Sequence, residues 1–252
     1  MKDSDLIAKQ KLKIVAADAY EMAKFRQTEF IQLRKKGFGA SDSSILLGVS
    51  PFTTIEELLA QKRSPVPTEE ELAVGQLEAV RKGADLEPLI LQKFEQWSGQ
   101  EVYKPDAMYA FADKDYLTVN FDGVMKLGEH YIPVEAKYVS PAGLKHAGSW
   151  DLSKAIDNLG EGSIKNCGGR SIEEHVKEEA TLYGIPVYYF TQLQQQLAAL
   201  DAPFGYLAAL VDKGWQLKVF KVFSDTITQN ALYDRALENA RKLWLKNSGA
   251  DA

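Results

Sequence analysis

The stretch Asp115 to Lys137, DYLTVNFDGVMKLGEHYIPVEAK, constrains this chain more than any other. In its first half Leu117, Val119 and Phe121 alternate with Thr118, Asn120 and Asp122, the period of a strand with one apolar and one polar face. Gly123 relaxes the backbone directly after Asp122, and VMKL and YIPVEAK on either side of GEH read as a hairpin. Side chains of a strand point alternately to opposite faces, so Glu135 and Lys137 project together while Ala136 turns the other way. An isolated acid and ammonium on one strand face are usually a solvated ion pair. Whether this pair does chemistry depends on what the rest of the chain brings to that face.

Around the hairpin the pattern is largely helical. Residues 5–36 carry helical periodicity through Ala16, Tyr20, Met22, Phe25 and Phe30, which predicts a helical N-terminal extension over 1–36. In GFGASDSSILLGVSPF the glycines mark a turn, and Ser41 or Asp42 is placed to cap a short helix through Leu47. TTIEELLAQKRS is a further helix opened by a threonine cap, and SPVPTEEE is a polar connection. From Asp85, Leu86, Leu89, Ile90, Phe94 and Trp97 stand at helical spacing; Pro88 fits the first turn and Gly99 is a stop, which puts Glu87 near the helix start. Residues 143–175, rich in glycine, lysine and asparagine, read as an irregular insertion. PVYYFTQLQQQLAAL is a helix that buries Phe190, Leu193, Leu197 and Leu200, with Gln192, Gln194 and Gln196 as candidates for a solvated face, Gln194 above all. FGYLAALV and WQLKVFKV are strands joined at DKG, and a helix from about Asp225 to Leu245 closes the chain. The order helix, mixed sheet, helix predicts one α/β domain over residues 1–252, with a central mixed β-sheet flanked by helices.

Composition narrows the function classes. No uninterrupted apolar run is long enough to span a bilayer, and MKDSDLIAKQKLK lacks the apolar core of a signal peptide. The single cysteine, Cys167, excludes an internal disulfide framework and a cysteine-ligated iron–sulfur cluster, so a cytoplasmic location is expected. His130, His146 and His175 are isolated and offer no two-histidine metal motif. A net charge of −5 does not mark a nucleic-acid binder. A site that collects carboxylates for divalent cations would carry such charge, however, and basic residues concentrate locally in LRKKG at 33–37.

Glu87, Asp122, Glu135 and Lys137 are the candidates for chemistry. Hairpin pairing can set the polar face ending in Asp122 beside the Glu135 and Lys137 face. Clustered carboxylates suit hard divalent cations, and the Ala136 carbonyl adds an oxygen ligand. A metal lowers the pKa of its water, a lysine holds that water, and together they support metal-assisted phosphodiester hydrolysis.

Asp122 with Glu135-Ala136-Lys137 resembles the PD-(D/E)xK nuclease superfamily, with Phe121 where the consensus has proline. RKKGFGASDSSILLGVSPFTT is similar to the opening motif of the YqaJ-like viral recombinase (phage lambda exonuclease) family. KGADLEPLILQKFEQWSG is similar to that family's glutamate helix, and YYFTQLQQQLAAL to its Tyr-x-x-Gln-x-Gln helix. The resemblance covers roughly residues 34–200 and implies a restriction-endonuclease-like core. It implies a Mg2+-dependent exonuclease that digests double-stranded DNA from the 5′ end for phage-type homologous recombination in a bacterial host. In that reading Asp122 and Glu135 are metal ligands assisted by the Ala136 carbonyl, and Glu87 serves a second ion or its waters. Lys137 orients the nucleophilic water, Gln192 reaches the nucleophile or a metal-bound water, and Arg34 and Ser41 grip the 5′-phosphate. Two ions with Mn2+ able to substitute, a phage single-strand annealing protein as partner and a homotrimer are implied with it. The segment from Lys137 to Gln192 is much longer than in phage lambda exonuclease and leaves the DNA path and subunit contacts open. A restriction- or repair-type endonuclease on the same core, and a non-catalytic DNA-binding or assembly protein, are the alternatives.

Overall fold

The computed structural model of the chain describes residues 3–10, 12–19, 28–67, 78–145, 150–162 and 171–247. In chain order, α1 (Asp3–Gln10) and β1 (Leu12–Ala16) precede α2 (Thr28–Lys35), β2 (Phe38–Gly39), a 3-10 turn (Ala40–Asp42), α3 (Ser43–Leu46) and α4 (Ile55–Arg63). Then follow α5 (Glu78–Ser98), β3 (Val102–Tyr103), β4 (Met108–Phe111), β5 (Leu117–Val119), β6 (Gly123–Leu127) and β7 (His130–Val139). The rest comprises α6 (Pro141–Lys145), a 3-10 turn (Leu152–Lys154), α7 (Ile172–Tyr183), α8 (Val187–Leu200), β8 (Phe204–Val211), β9 (Gln216–Phe223) and α9 (Thr226–Asn247).

The main sheet runs β3-β6-β7-β8-β9, antiparallel except for the parallel pair β7–β8. A parallel pair needs a long crossover, and α7 and α8 supply it. The expected hairpin is β6–β7, closed by the two-residue loop after Leu127, which pairs with His130. β7 is the middle strand and is packed by both α5 and α8, so its residues from Tyr131 to Ala136 are buried almost throughout. Gly123 is required by close approach rather than by a turn: a Cβ there would lie 2.5 Å from Val102 Cγ1 and 3.0 Å from Leu91 Cδ2. A smaller sheet, β1-β4-β5-β2, lies beside the main one, with β5 leading directly into Asp122. Phe94, Phe190, Tyr206 and Phe220 are fully or almost fully buried at the centre, each worth roughly 1.5–3 kcal/mol of transfer free energy. The cap at Thr54, the apolar stripe of α8, and the left-handed Gly99 (φ +66°) that ends α5 all stand where the sequence places them.

Four expectations are corrected. Residues 12–16 are a strand rather than part of a helix over 5–36, with Leu12, Lys13 and Ile14 paired antiparallel to Phe111, Ala110 and Tyr109. The edge of β4 supplies backbone partners that outweigh the local period. Phe30 is buried in α2 as expected, while Tyr20, Met22 and Phe25 lie outside the described residues. Second, α5 begins at Glu78, so Pro88 sits in its interior and Glu87 is not near its start. Pro88 deprives the Ala84 carbonyl of its donor. Pro88 itself is exposed, and the burial of Ile90, Leu91 and Phe94 carries the helix past it. Third, Asp42 occupies the cap position of α3 but makes no side-chain cap bond. It is buried in an ion pair with Lys62 at 2.9 Å and accepts the Gly39 amide at 3.0 Å. Fourth, the 143–175 segment carries regular structure, namely α6, a 3-10 turn, the start of α7 and a bridge from Ile156 to Val219; residues 146–149 and 163–170 lie outside the described residues.

Candidate active site

β7 carries Glu135 and Lys137 on one face, and α8 lies over that face. The Lys137 Nζ and the Gln192 Nε2 both donate to Glu135 Oε1, and Gln196 Nε2 donates to Oε2 at 2.6 Å. Gln192 and Gln196 are four residues apart, which stacks them on one side of a helix and lets two amides clamp one carboxylate. Glu135 is fully buried beneath them.

Asp122 stands between β5 and β6, where β6 begins too late to pair with Ala136. Its Oδ2 accepts the Ala136 amide at 2.9 Å and lies 3.7 Å from Lys137 Nζ. The amide and carbonyl of one strand residue face the same edge, so the Ala136 carbonyl is directed to the Asp122 side as well. Glu87 projects from α5 and accepts from Lys104 Nζ at 2.7 Å. Asp122, Ala136, Lys137 and Glu87 line a cleft of about 770 Å3 together with Gln192, Arg81, Asp106 and six aromatic residues, while Glu135 is covered.

The electrostatics are those of crowded acids. Burial first, then the Asp122 charge, pushes Glu135 up to about 7 against the pull of Lys137 and Gln196. The same two causes push Glu87 up to about 7, opposed by Lys104. Burial disfavours the Lys137 ammonium, but Glu135 and Asp122 outweigh it and hold its pKa above the ordinary lysine range. Among the described residues, no three acidic, histidine or cysteine side chains form a ready cation cage. The donor chemistry nevertheless fits a hard cation. Carboxylates and a strand carbonyl are oxygen ligands, and the Asp122 charge that raises the pKa of Glu135 and of Glu87 would be offset by added positive charge.

Arg34 and Ser41 are brought together, Nη2 donating to Oγ at 2.6 Å, with Arg34 also 3.5 Å from Asp42. They do not line the cleft that holds Asp122 and Lys137. α8 links the two places through Gln195, which accepts from Ser43 Oγ at 2.7 Å and donates to the carbonyls of Phe38 (3.1 Å) and Thr118 (2.8 Å). Gln194, expected in solvent, is fully buried, donating to the Phe223 carbonyl and accepting from the Asp225 amide, both at 2.8 Å. Sequence reasoning also missed Gln196 and Lys104 as partners of the acids. The i, i+4 repeat of Gln192 was the available signal for the first; nothing local marks the second.

A mixed sheet whose central hairpin carries Glu135-x-Lys137 beside Asp122, beneath flanking helices, has the layout of the restriction-endonuclease-like (PD-(D/E)xK) fold. Residues 29–202 match the family model of the YqaJ-like viral recombinase domain, and the chain belongs to that family. The YqaJ protein of Bacillus subtilis strain 168 is 34% identical over 117 residues, covering 46% of this chain and 35% of that relative, so the match spans about a third of the relative's length. The fold is shared with the alkaline exonuclease LHK-Exo from Laribacter hongkongensis, at a TM-score of 0.56 and 15% identity over 87% of this chain and 96% of that one. The complex of LHK-Exo with dAMP superposes equally, at a TM-score of 0.55 and 15% identity over the same shares. No helix among the described residues is long and apolar enough to cross a membrane.

Proposed function

We propose that this protein is a metal-dependent exonuclease that hydrolyses double-stranded DNA from the 5′ end and serves phage-type homologous recombination in the cytoplasm of a bacterial host. The observation that carries the nuclease reading is the convergence of Asp122, Lys137 and Gln192 in one cleft, on a Glu135 fixed by two glutamine amides. Membership of a viral recombinase family and a fold shared with an alkaline exonuclease support it.

Asp122, Glu135, Glu87 and the Ala136 carbonyl would hold Mg2+, or Mn2+ in its place, as two ions. Bound there, the metal supplies Lewis acidity and a water of lowered pKa. Glu135 and Asp122 favour the Lys137 ammonium, which would orient the attacking oxygen and offset charge on the phosphate. Gln192 holds Glu135 with one amide hydrogen and can give the other to the same water. Arg34 and Ser41 offer a guanidinium and a hydroxyl to a terminal 5′-phosphate. A phage single-strand annealing protein as recipient of the product strand, and a homotrimeric assembly, belong to the same proposal.

The test is a time course on linear duplexes with 5′-phosphorylated or blocked ends, with Mg2+ and with chelator, beside covalently closed plasmid. Mg2+-dependent shortening of phosphorylated linear DNA alone is expected. Cleavage of the closed plasmid would replace the proposal with the endonuclease reading.

A further inference from the structure

We propose that Phe52, Tyr188, Tyr189 and Trp150 form a stacking platform that takes an unpaired nucleobase of the substrate strand beside the catalytic groups. The inference rests on the nuclease reading above. Phe52 is 71% exposed, the most exposed large apolar side chain among the described residues. A lone exposed phenylalanine needs no explanation, but this one belongs to a chain of rings. Its ring packs edge-to-face with Tyr188, their centres 5.1 Å apart, and the ring centres of Tyr188 and Tyr189 lie 4.4 Å apart and those of Tyr189 and Trp150 5.7 Å apart. All four line the cleft that holds Asp122 and Lys137.

The rings are anchored as a recognition surface must be. Tyr188 and Tyr189 open α8, one turn before Gln192, and Trp150 is backed by Phe220 of β9 at 5.6 Å. Phe52 sits between α3 and α4, its amide donating to Ser50 Oγ at 3.2 Å. Lys137 Nζ stands 5.3 Å from the centre of the Tyr189 ring, so the platform adjoins the reacting groups. A base resting on it would belong to the nucleotide next to a phosphate at Asp122 and Lys137. The occupant is an unpaired base because only an unstacked base has a free π face, and the cleft lies within the roughly 300–1,000 Å3 of sites that enclose single small ligands. Arg81, which also lines the cleft, supplies the charge that a flanking phosphate requires. Stacking is indifferent to base identity, so this surface would grip a frayed end of any sequence.

The test compares two labelled duplexes, each with a two-nucleotide unpaired 5′ end, one carrying bases there and the other abasic. Binding is measured with calcium in place of magnesium, to hold substrate without turnover. The natural protein should bind the base-bearing duplex about five- to 150-fold more tightly, the span of stacking one base. Phe52→Ala should remove most of that preference while leaving affinity for the abasic duplex within about twofold, and Phe52→Trp should keep it. No preference in the natural protein, an undiminished preference in Phe52→Ala, or an equal loss on both duplexes would overturn the platform. If the protein digests linear DNA yet shows any of these, only the platform fails. If it binds neither duplex, the nuclease reading falls with it.

Discussion

Replacing Lys62 by Met tests the buried charge pair that supports the Arg34 and Ser41 turn. Lys62 Nζ lies 2.9 Å from Asp42 Oδ2, the two side chains 5% and 7% exposed, and it also donates to the carbonyls of Arg34 (3.0 Å) and Gly37 (2.6 Å). Removing one member of a buried pair costs about 3–5 kcal/mol, because the other charge is left in a poor solvent. For a chain of this length that is a fall in Tm of roughly 6–20 °C. The sign of the pH dependence is more telling. In the natural protein burial pushes the Asp42 carboxyl up, but Lys62 and Arg34, with hydrogen bonds from Lys62 and Gly39, bring its pKa below the ordinary value. A depressed folded pKa contributes stability above the unfolded value near 3.9, lost as pH falls through the folded pKa. Without Lys62, burial dominates and the shift reverses. Asp42 in Lys62→Met then stabilises below the unfolded pKa, and stability drains away as pH rises through the raised folded pKa. Urea unfolding followed by circular dichroism at pH 7 and pH 4 should therefore show the variant's deficit larger at pH 7. Adding Asp42→Leu should recover most of the pH-dependent part. A deficit equal at both pH values, or one under about 1 kcal/mol, refutes the assignment of Asp42 as a charged partner of Lys62.

Three further outcomes are expected. Glu135→Ala and Asp122→Ala should abolish cleavage of linear duplex, while Lys137→Met should lower kcat by about 10²–10³ with DNA affinity changed only a few-fold, read by single-turnover kinetics beside binding isotherms; normal cleavage by Glu135→Ala would remove the site altogether. Gln196→Leu deletes a charge-assisted bond to Glu135 worth roughly 1.5–3 kcal/mol but also removes its own buried, unpartnered Oε1. Its activity should accordingly fall about tenfold or more while urea unfolding changes by no more than about 2 kcal/mol, and the reverse pattern would make Gln196 a merely structural residue. Arg34→Ala should slow digestion of 5′-phosphorylated ends about ten- to a hundredfold at fixed salt and leave hydroxyl ends little changed; equal slowing of both would make Arg34 a general phosphate contact.

The sequence by itself determined the features whose cause is local. The alternation through Leu117, Val119 and Phe121 and the Glu135-x-Lys137 face are fixed by strand periodicity, and Gly128 marks the hairpin loop. The α8 stripe and the Thr54 cap are fixed by helix periodicity and capping. Tertiary structure alone decided what depends on distant partners. Leu12–Ala16 becomes a strand because β4, almost a hundred residues on, offers its edge. Pro88 lies inside α5 because burial of Ile90, Leu91 and Phe94 outweighs one lost hydrogen bond. A run of glutamines looks alike in a sequence whether water or protein satisfies the amides. Gln194, Gln195 and Gln196 are buried because Phe223, Thr118 and Glu135 happen to meet them, and only the folded chain carries that information.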